Sequence, residues 1–149
     1  MADIDKVKKI REATNLSVGE ISRALVEAGG DEAKALELLK ARGAEIAGKK
    51  STREIKEGVV ESYIHNTKKV GAIVALGSET DFVARNAEFQ KLARDLAMQV
   101  ASMNPQTVDE LLSQPFIKDA SLTVKDLIDQ HIARLGENIK IGDFFRLEI

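Results

Sequence analysis

The chain has two histidines, His65 and His131, and no cysteine. An imidazole is the usual acid or base near neutral pH, and Asp81 is the carboxylate that a small hydrolase would pair with His65. No second positioned group completes that set. His131 falls on or beside the apolar face of a helical pattern, where a single histidine is ordinarily a satisfied structural residue. No His-x-x-x-His or Cys/His cluster offers zinc its ligands. No Gly-x-x-x-x-Gly-Lys-Ser/Thr cradles a phosphate, and no Gly-x-Gly-x-x-Gly holds a dinucleotide. The 24 carboxylates are scattered, mostly at solvent-facing helical positions. This inventory points away from an enzyme and towards a binding protein without metal or cofactor.

The residues suited to binding lie in Glu79-Thr80-Asp81-Phe82-Val83-Ala84-Arg85-Asn86. The chain has five Phe, one Tyr and no Trp, so an aromatic inside this polar stretch is a distinctive choice. Thr80 and Asp81 suit the start of a helical turn, because their oxygens can satisfy free backbone amides. Asn86 suits the start of a second helix. If the helix runs unbroken, Phe82, Phe89 and Leu96 share one face and Phe82 is a core residue. If Asn86 is the cap of the long helix, residues 80–85 form a separate turn and Phe82 can project as an anchor for a partner's pocket. Periodicity alone slightly favours the first arrangement.

The flanking elements place this stretch at a strand-to-helix corner, a common site of function because rigid elements fix its position. Ile73 to Leu76 reads as a buried strand, and Ala87 to Met103 as a long amphipathic helix ended by Asn104-Pro105. Upstream, residues 1–47 predict a three-helix docking module. Its first helix spans Ile4 to Thr14. The second opens on the capping box Ser17-Val18-Gly19-Glu20, and Asp31 caps the third after Gly29-Gly30. Its core is very small, as in modules that serve for docking, and its arrangement resembles the ubiquitin-associated-like fold. Residues 48–57, with Gly48-Lys49-Lys50-Ser51-Thr52-Arg53, read as a linker; the alternative is a solvated helix end.

Residues 58–149 predict an α+β core domain. Val59–His65 and Val70–Leu76 form a hairpin across Asn66-Thr67-Lys68-Lys69. A short helix starts at Thr107 and ends by Pro115. A last helix runs from Thr123 to the stop at Gly136. Phe145, Leu147 and Ile149, alternating with Arg146 and Glu148, predict a half-buried strand against the hairpin. The expected fold is a two-layer α+β core: a small antiparallel three-stranded sheet with helices on one face. With 22 basic and 24 acidic residues, the net charge is −2. No strong field favours nucleic acid or an anionic membrane. No membrane span or signal-peptide pattern is present, and the absence of cysteine suits the cytoplasm.

Glu79 to Asn86 resembles the signature of the translation elongation factor Ts family, exchange factors for elongation factor Tu. Further matches follow the family's order. Arg11-Glu12-Ala13-Thr14 with Ala24-Leu25 is similar to its N-terminal module, Ala28-Gly29-Gly30-Asp31 with Ala35-Leu36 to its next helix junction, and Gly136-Glu137-Asn138-Ile139 to its Gly-Glu-Asn motif. There are departures: Glu20-Ile21-Ser22 stands where members often carry Asp/Glu-Cys-Lys, and Asn15 where they often carry glycine. The chain resembles the short form of the family.

The resemblance implies a guanine nucleotide exchange factor in translation elongation. Thr80, Asp81, Phe82 and Val83 would contact elongation factor Tu, with Asp81 and Phe82 pressing into its nucleotide-binding domain and dislocating its magnesium. Arg85 and Asn86 would support the corner or the contact. Leu16 and Val18 are the apolar residues that would dock the N-terminal module; the alternative is that they pack the loop onto the bundle. A non-covalent homodimer, formed through the core domain, would supply the rest of the surface. On this reading Asn86 starts the long helix and leaves Phe82 exposed. The alternative function is a ubiquitin-associated-like adaptor without exchange activity, which leaves the Thr80–Asn86 corner unexplained.

Overall fold

A computed structural model describes residues 2–149. In chain order the elements are α1 (Ile4–Thr14), α2 (Val18–Glu27), α3 (Glu32–Lys50), β1 (Glu57–Ile64), β2 (Val70–Ser78), α4 (Asp81–Ala84), α5 (Ala87–Met103), α6 (Val108–Ser113), β3 (Pro115–Phe116), β4 (Asp119–Thr123), α7 (Val124–Leu135) and β5 (Lys140–Glu148). The architecture is α+β, with a three-stranded antiparallel sheet in the order β1-β2-β5. None of the described helices is long and apolar enough to cross a membrane.

Local capping sets the N-terminal helices. Asp3, Ser17 and Asp31 each accept bonds from first-turn amides, and the Ser17–Glu20 box is formed in both directions. Asn15 closes α1 in the left-handed conformation, φ 58°, which asparagine tolerates better than most residues. Gly29 and Gly30 take the same region between α2 and α3. Val7, Ile10, Leu16, Ile21, Leu25 and Leu39 fill the small core.

The linker expected at 48–57 starts later than its composition suggests. Helix α3 continues to Lys50, and Ala47 is buried in the larger core. Gly48-Lys49-Lys50 is thus a solvated helix end, where two cations complement the dipole's negative terminus. Ala35 and Leu39 belong to the small core while Ala47 belongs to the large one. One helix is therefore shared by both halves of the chain.

The large core lies between one face of the sheet and the helices. Phe89, Leu92, Leu96 and Val100 of α5 are buried with Ala72, Val74 and Leu76 of β2. Gln99 is fully buried yet satisfied: its amide donates to the Pro115 carbonyl at 3.0 Å and accepts from the Ile117 amide at 2.9 Å. It fastens the β3–β4 hairpin, an element absent from the expectations. Pro115 and the shortness of the two strands, two and five residues, hid them.

The last strand pairs with the hairpin, but its apolar alternation faces the other way. Phe145 and Leu147 point away from the helices and are 65% and 81% exposed, and Ile149 beyond the strand is also exposed. Phe144 packs inward instead. The register shifts between Val74 and Leu76. Such a shift changes which residues meet the core. Arg146 takes an inward position, its Nε donating to the Ala101 carbonyl at 2.9 Å.

His131 sits on α7 with Nδ1 donating to the Leu127 carbonyl at 2.8 Å. Burial lowers its pKa, outweighing the hydrogen bond to Leu127 and the pull of Glu88 and Asp95; Arg134 adds to the lowering. The native state thus resists a proton that the unfolded chain accepts near the ordinary histidine value of about 6.5. Stability should fall as pH drops from about 7 towards 5.5, because the unfolded state binds more protons there. Thermal denaturation of wild type and His131→Gln across that range checks this, with a flatter profile expected for the variant.

Candidate functional site

The corner after β2 is built by two helix caps in close succession. Thr80 is extended (φ −125°, ψ 161°), and its hydroxyl accepts the Val83 amide at the start of the single turn α4. Asn86 is extended again (φ −67°, ψ 133°), and its side chain accepts the Glu88 and Phe89 amides at 2.8 and 3.4 Å. This second cap interrupts the helical phase. Phe82 and Phe89 therefore do not share a face: Phe89 is fully buried and Phe82 is 84% exposed. Leaving a phenylalanine in water forgoes about 1.5–3 kcal/mol that burial would contribute. The fold does nothing to hide it.

The remaining residues divide by direction. Val83 and Ala84 turn inward and join the large core, so Val83 anchors the turn and is not a surface contact in the free chain. Thr80 also serves the corner itself. Asp81 is exposed and lies 3.5 Å from the exposed Arg85; such a solvent-screened pair contributes little. The outward face of the corner thus comprises Asp81, Phe82 and Arg85, with Asn86 occupied as a cap.

What holds this face outward comes from far along the chain. Gly136 ends α7 at φ 80°, a conformation that favours glycine, and delivers Glu137 beneath the corner. The Glu137 carboxylate accepts the Glu79 amide at 3.1 Å, the Thr80 amide at 2.9 Å and the Thr80 hydroxyl at 2.6 Å. Glu79 reciprocates, accepting the Asn138 amide at 2.7 Å. Asn138 is almost wholly buried, and its side chain donates to the Arg53 carbonyl at 2.9 Å and the Ser51 carbonyl at 3.4 Å. Three chain segments are thereby tied at one point. Sequence reading marked Gly136 as a stop and Glu137-Asn138 only as a motif. The available signal was a carboxylate and an amide directly behind a left-handed cap, where polar side chains serve structure.

A second surface lies on the N-terminal module. Val18, Ile4 and Val26 are exposed apolar residues lining a groove of about 950 Å³ between α1 and α2, rimmed by Arg11, Arg23 and Arg42. Leu16, expected beside Val18 as exposed, is instead buried against Ile10, Ile21 and Leu25. It packs the loop onto the bundle. No group of three or more His, Cys, Asp or Glu side chains among the described residues is placed to hold a metal. The arrangement presents contact surfaces, a projecting aromatic and an apolar groove.

A family model described as Elongation factor TS matches residues 79–149, beginning at the corner and including the Glu137 clamp. The chain is 37% identical to an elongation factor Ts from Oleidesulfovibrio alaskensis, over 96% of this chain and 95% of that one. It is 36% identical to one from Thermodesulfovibrio yellowstonii, covering 96% and 94%. A relative of the same name from Carboxydothermus hydrogenoformans is 37% identical, covering 96% and 87%. These matches run to 187 or 188 positions, more than the 149 residues here, so the relatives carry additional residues within the matched span.

Replacing Glu137 by alanine removes the carboxylate that accepts three hydrogen bonds while leaving Val83 and Ala84 in place. The expected result is a stability loss of about 1–3 kcal/mol and faster amide hydrogen exchange at Glu79 and Thr80 than at core amides of α5. Urea unfolding with residue-resolved exchange measures both; unchanged protection at Glu79 and Thr80 would contradict the clamp.

Proposed function

The chain belongs to the elongation factor Ts family, a family of translation elongation factors, and we propose that it is the guanine nucleotide exchange factor of elongation factor Tu in the cytoplasm. Asp81 and Phe82 enter the partner's nucleotide-binding domain, Phe82 between two of its helices. The intrusion disturbs the partner's magnesium and phosphate site, and GDP leaves faster. The observation that carries this reading is the 84% exposure of Phe82 on a corner that two caps and the Glu137 clamp hold outward.

The physics requires no catalytic group. An aromatic anchor that meets its pocket only in the open state of the partner stabilises that state. By linkage, a factor that weakens GDP binding is itself bound less tightly when GDP is present. Incoming GTP then displaces it. No bond is made or broken by this chain, and the magnesium belongs to the partner. Val18, with the groove around it, docks the N-terminal module on the same partner. Thr80 and Val83 act from behind, by holding the turn, and Arg85 and Asn86 support its outward face.

A second copy of the chain covers the outer face of the sheet. Ile64, Gly71 and Leu147 are paired across the three strands, as are Ser62, Ile73 and Phe145. Ile64, Ile73, Phe145 and Leu147 are all exposed there, without a charged side chain in either row. Two such faces can pack at the usual sheet-to-sheet distance of about 10 Å, and the absence of cysteine makes the association non-covalent.

Release of fluorescent GDP from elongation factor Tu tests the exchange reading. Wild type should accelerate release strongly, and Phe82→Ala should lose roughly 30-fold or more of that acceleration, the scale of an anchor residue. Acceleration unaffected by the substitution would remove Phe82 from the mechanism, and binding without acceleration would leave an adaptor. Light scattering tests the second copy. A dimer is expected for wild type and a monomer for the Phe145→Glu/Leu147→Glu variant, and a monomeric wild type would rule it out.

A further inference from the structure

The groove on the module and the projecting Phe82 belong to different halves of the chain, and helix α3 alone would join them through a single axis. A second attachment lies at the opposite edge of the module. Arg134, in the last turn of α7, donates from Nη1 to the Thr14 carbonyl at 3.0 Å. Its Nε lies 2.8 Å from Glu88 Oε2. The other oxygen of Glu88 accepts the Asn15 side-chain amide at 2.6 Å. Thr14 and Asn15 close α1, and the loop they open leads through Leu16 to Val18 of the groove. Glu88 lies two residues after the Asn86 cap, and Arg134 three residues before Glu137. These contacts therefore connect the base of the groove to both supports of the corner. The same residues line a cleft of about 630 Å³ between the two halves, together with Glu12, Lys91 and His131.

We propose that Asn15, Glu88 and Arg134 form a latch that fixes the spacing and rotation of the groove relative to Phe82, so that one partner meets both surfaces as a rigid pair. The three are positioning residues, and their role rests on the exchange reading given above. Two surfaces on one ligand reinforce each other only if their separation matches the target, and holding that separation beforehand reduces the ordering cost of binding. An attachment by one helix fixes direction but leaves rotation about its axis to the stiffness of the packing. A second point, away from that axis, removes the freedom. Arg134 suits the task because its guanidinium can donate to a carbonyl from one nitrogen while its charge holds a neighbouring carboxylate as an ion pair. Asn15 supplies the contact from a left-handed position, φ 58°. Glycine would take the same left-handed backbone and donate nothing, so the asparagine adds a bond without changing the turn.

That equivalence provides the test. Asn15→Gly keeps the cap of α1 and deletes only the latch bond, so folding is not at stake. With the full chain and fluorescent GDP on elongation factor Tu, the factor concentration giving half-maximal acceleration should rise about threefold to tenfold, the scale of one hydrogen bond. The maximal release rate should stay unchanged. Arg134→Gln should raise the half-maximal concentration further, and Arg134→Lys should recover part of it. In a Val18→Asp background, where the groove no longer docks, Asn15→Gly should have no further effect. A fall in maximal rate, or a loss that persists in that background, would show a local effect on the corner and overturn the latch. Paired spin labels at Lys8→Cys and Arg94→Cys in this cysteine-free chain give a reading without any partner. The distance distribution should broaden in Asn15→Gly and Arg134→Gln, and an unchanged width overturns the latch even if exchange is fast. If wild type fails to accelerate GDP release, the exchange reading fails while the label distances still decide whether the latch exists.

Discussion

The Glu137 carboxylate and the three donors it gathers from Glu79 and Thr80 are what the corner depends on. A short turn between a strand and a helix leaves backbone amides without regular partners. Left to water, those amides would let the turn fray, and an exposed phenylalanine beside it would fold back onto apolar surface. Charge-assisted bonds are the stronger class, and here they are partly shielded from solvent. They make an arrangement possible in which a large apolar side chain stays in water because polar contacts behind it leave the turn no alternative. Glu79 and Asn138 extend the same network to the segment after α3.

This division of labour explains why residues in one short run play different parts. Val83 and Ala84 hold the turn to the core by burial, Thr80 by hydrogen bonds in two directions, and Asn86 by resetting the helix behind it. Asp81 and Phe82 are thereby left outward. A turn held on three sides presents its remaining face with little conformational freedom, so contact with a partner loses less entropy than a mobile loop would. The local order of the outward face is thus supplied by residues that touch only their own chain.

How much of this was legible in the sequence follows from the range of each interaction. Caps act over two or three residues, so Ser17, Asp31, Thr123 and Gly136 could be read directly, whereas Asn86 stood as one of two open arrangements until the family resemblance favoured it. The separation of Phe82 from Phe89 followed from the same local chemistry once Asn86 was given the cap. Facing was harder. Phe144 and Phe145 offer two equally apolar phases for β5, and the irregularity in pairing that selects Phe144 arises between strands far apart in sequence. Leu16 stands in the loop between α1 and α2, where a leucine can project or pack onto the bundle, and only the closure of the bundle decides for burial. The clamp was least visible of all: Glu137 and Thr80 are separated by 57 positions, and neither residue type predicts the other.

Helix α3 is also a ruler. Leu39 is seated in one core and Ala47 in the other, with unbroken helix between them. Adding one residue there would turn everything before it by about 100° and shift it by about 1.5 Å, carrying the groove out of line with Phe82. Loops such as the turn after β1 can lengthen with no such consequence. Helical phase therefore fixes the segment between the two cores of this chain to the residue, even where its exposed side chains are free to change.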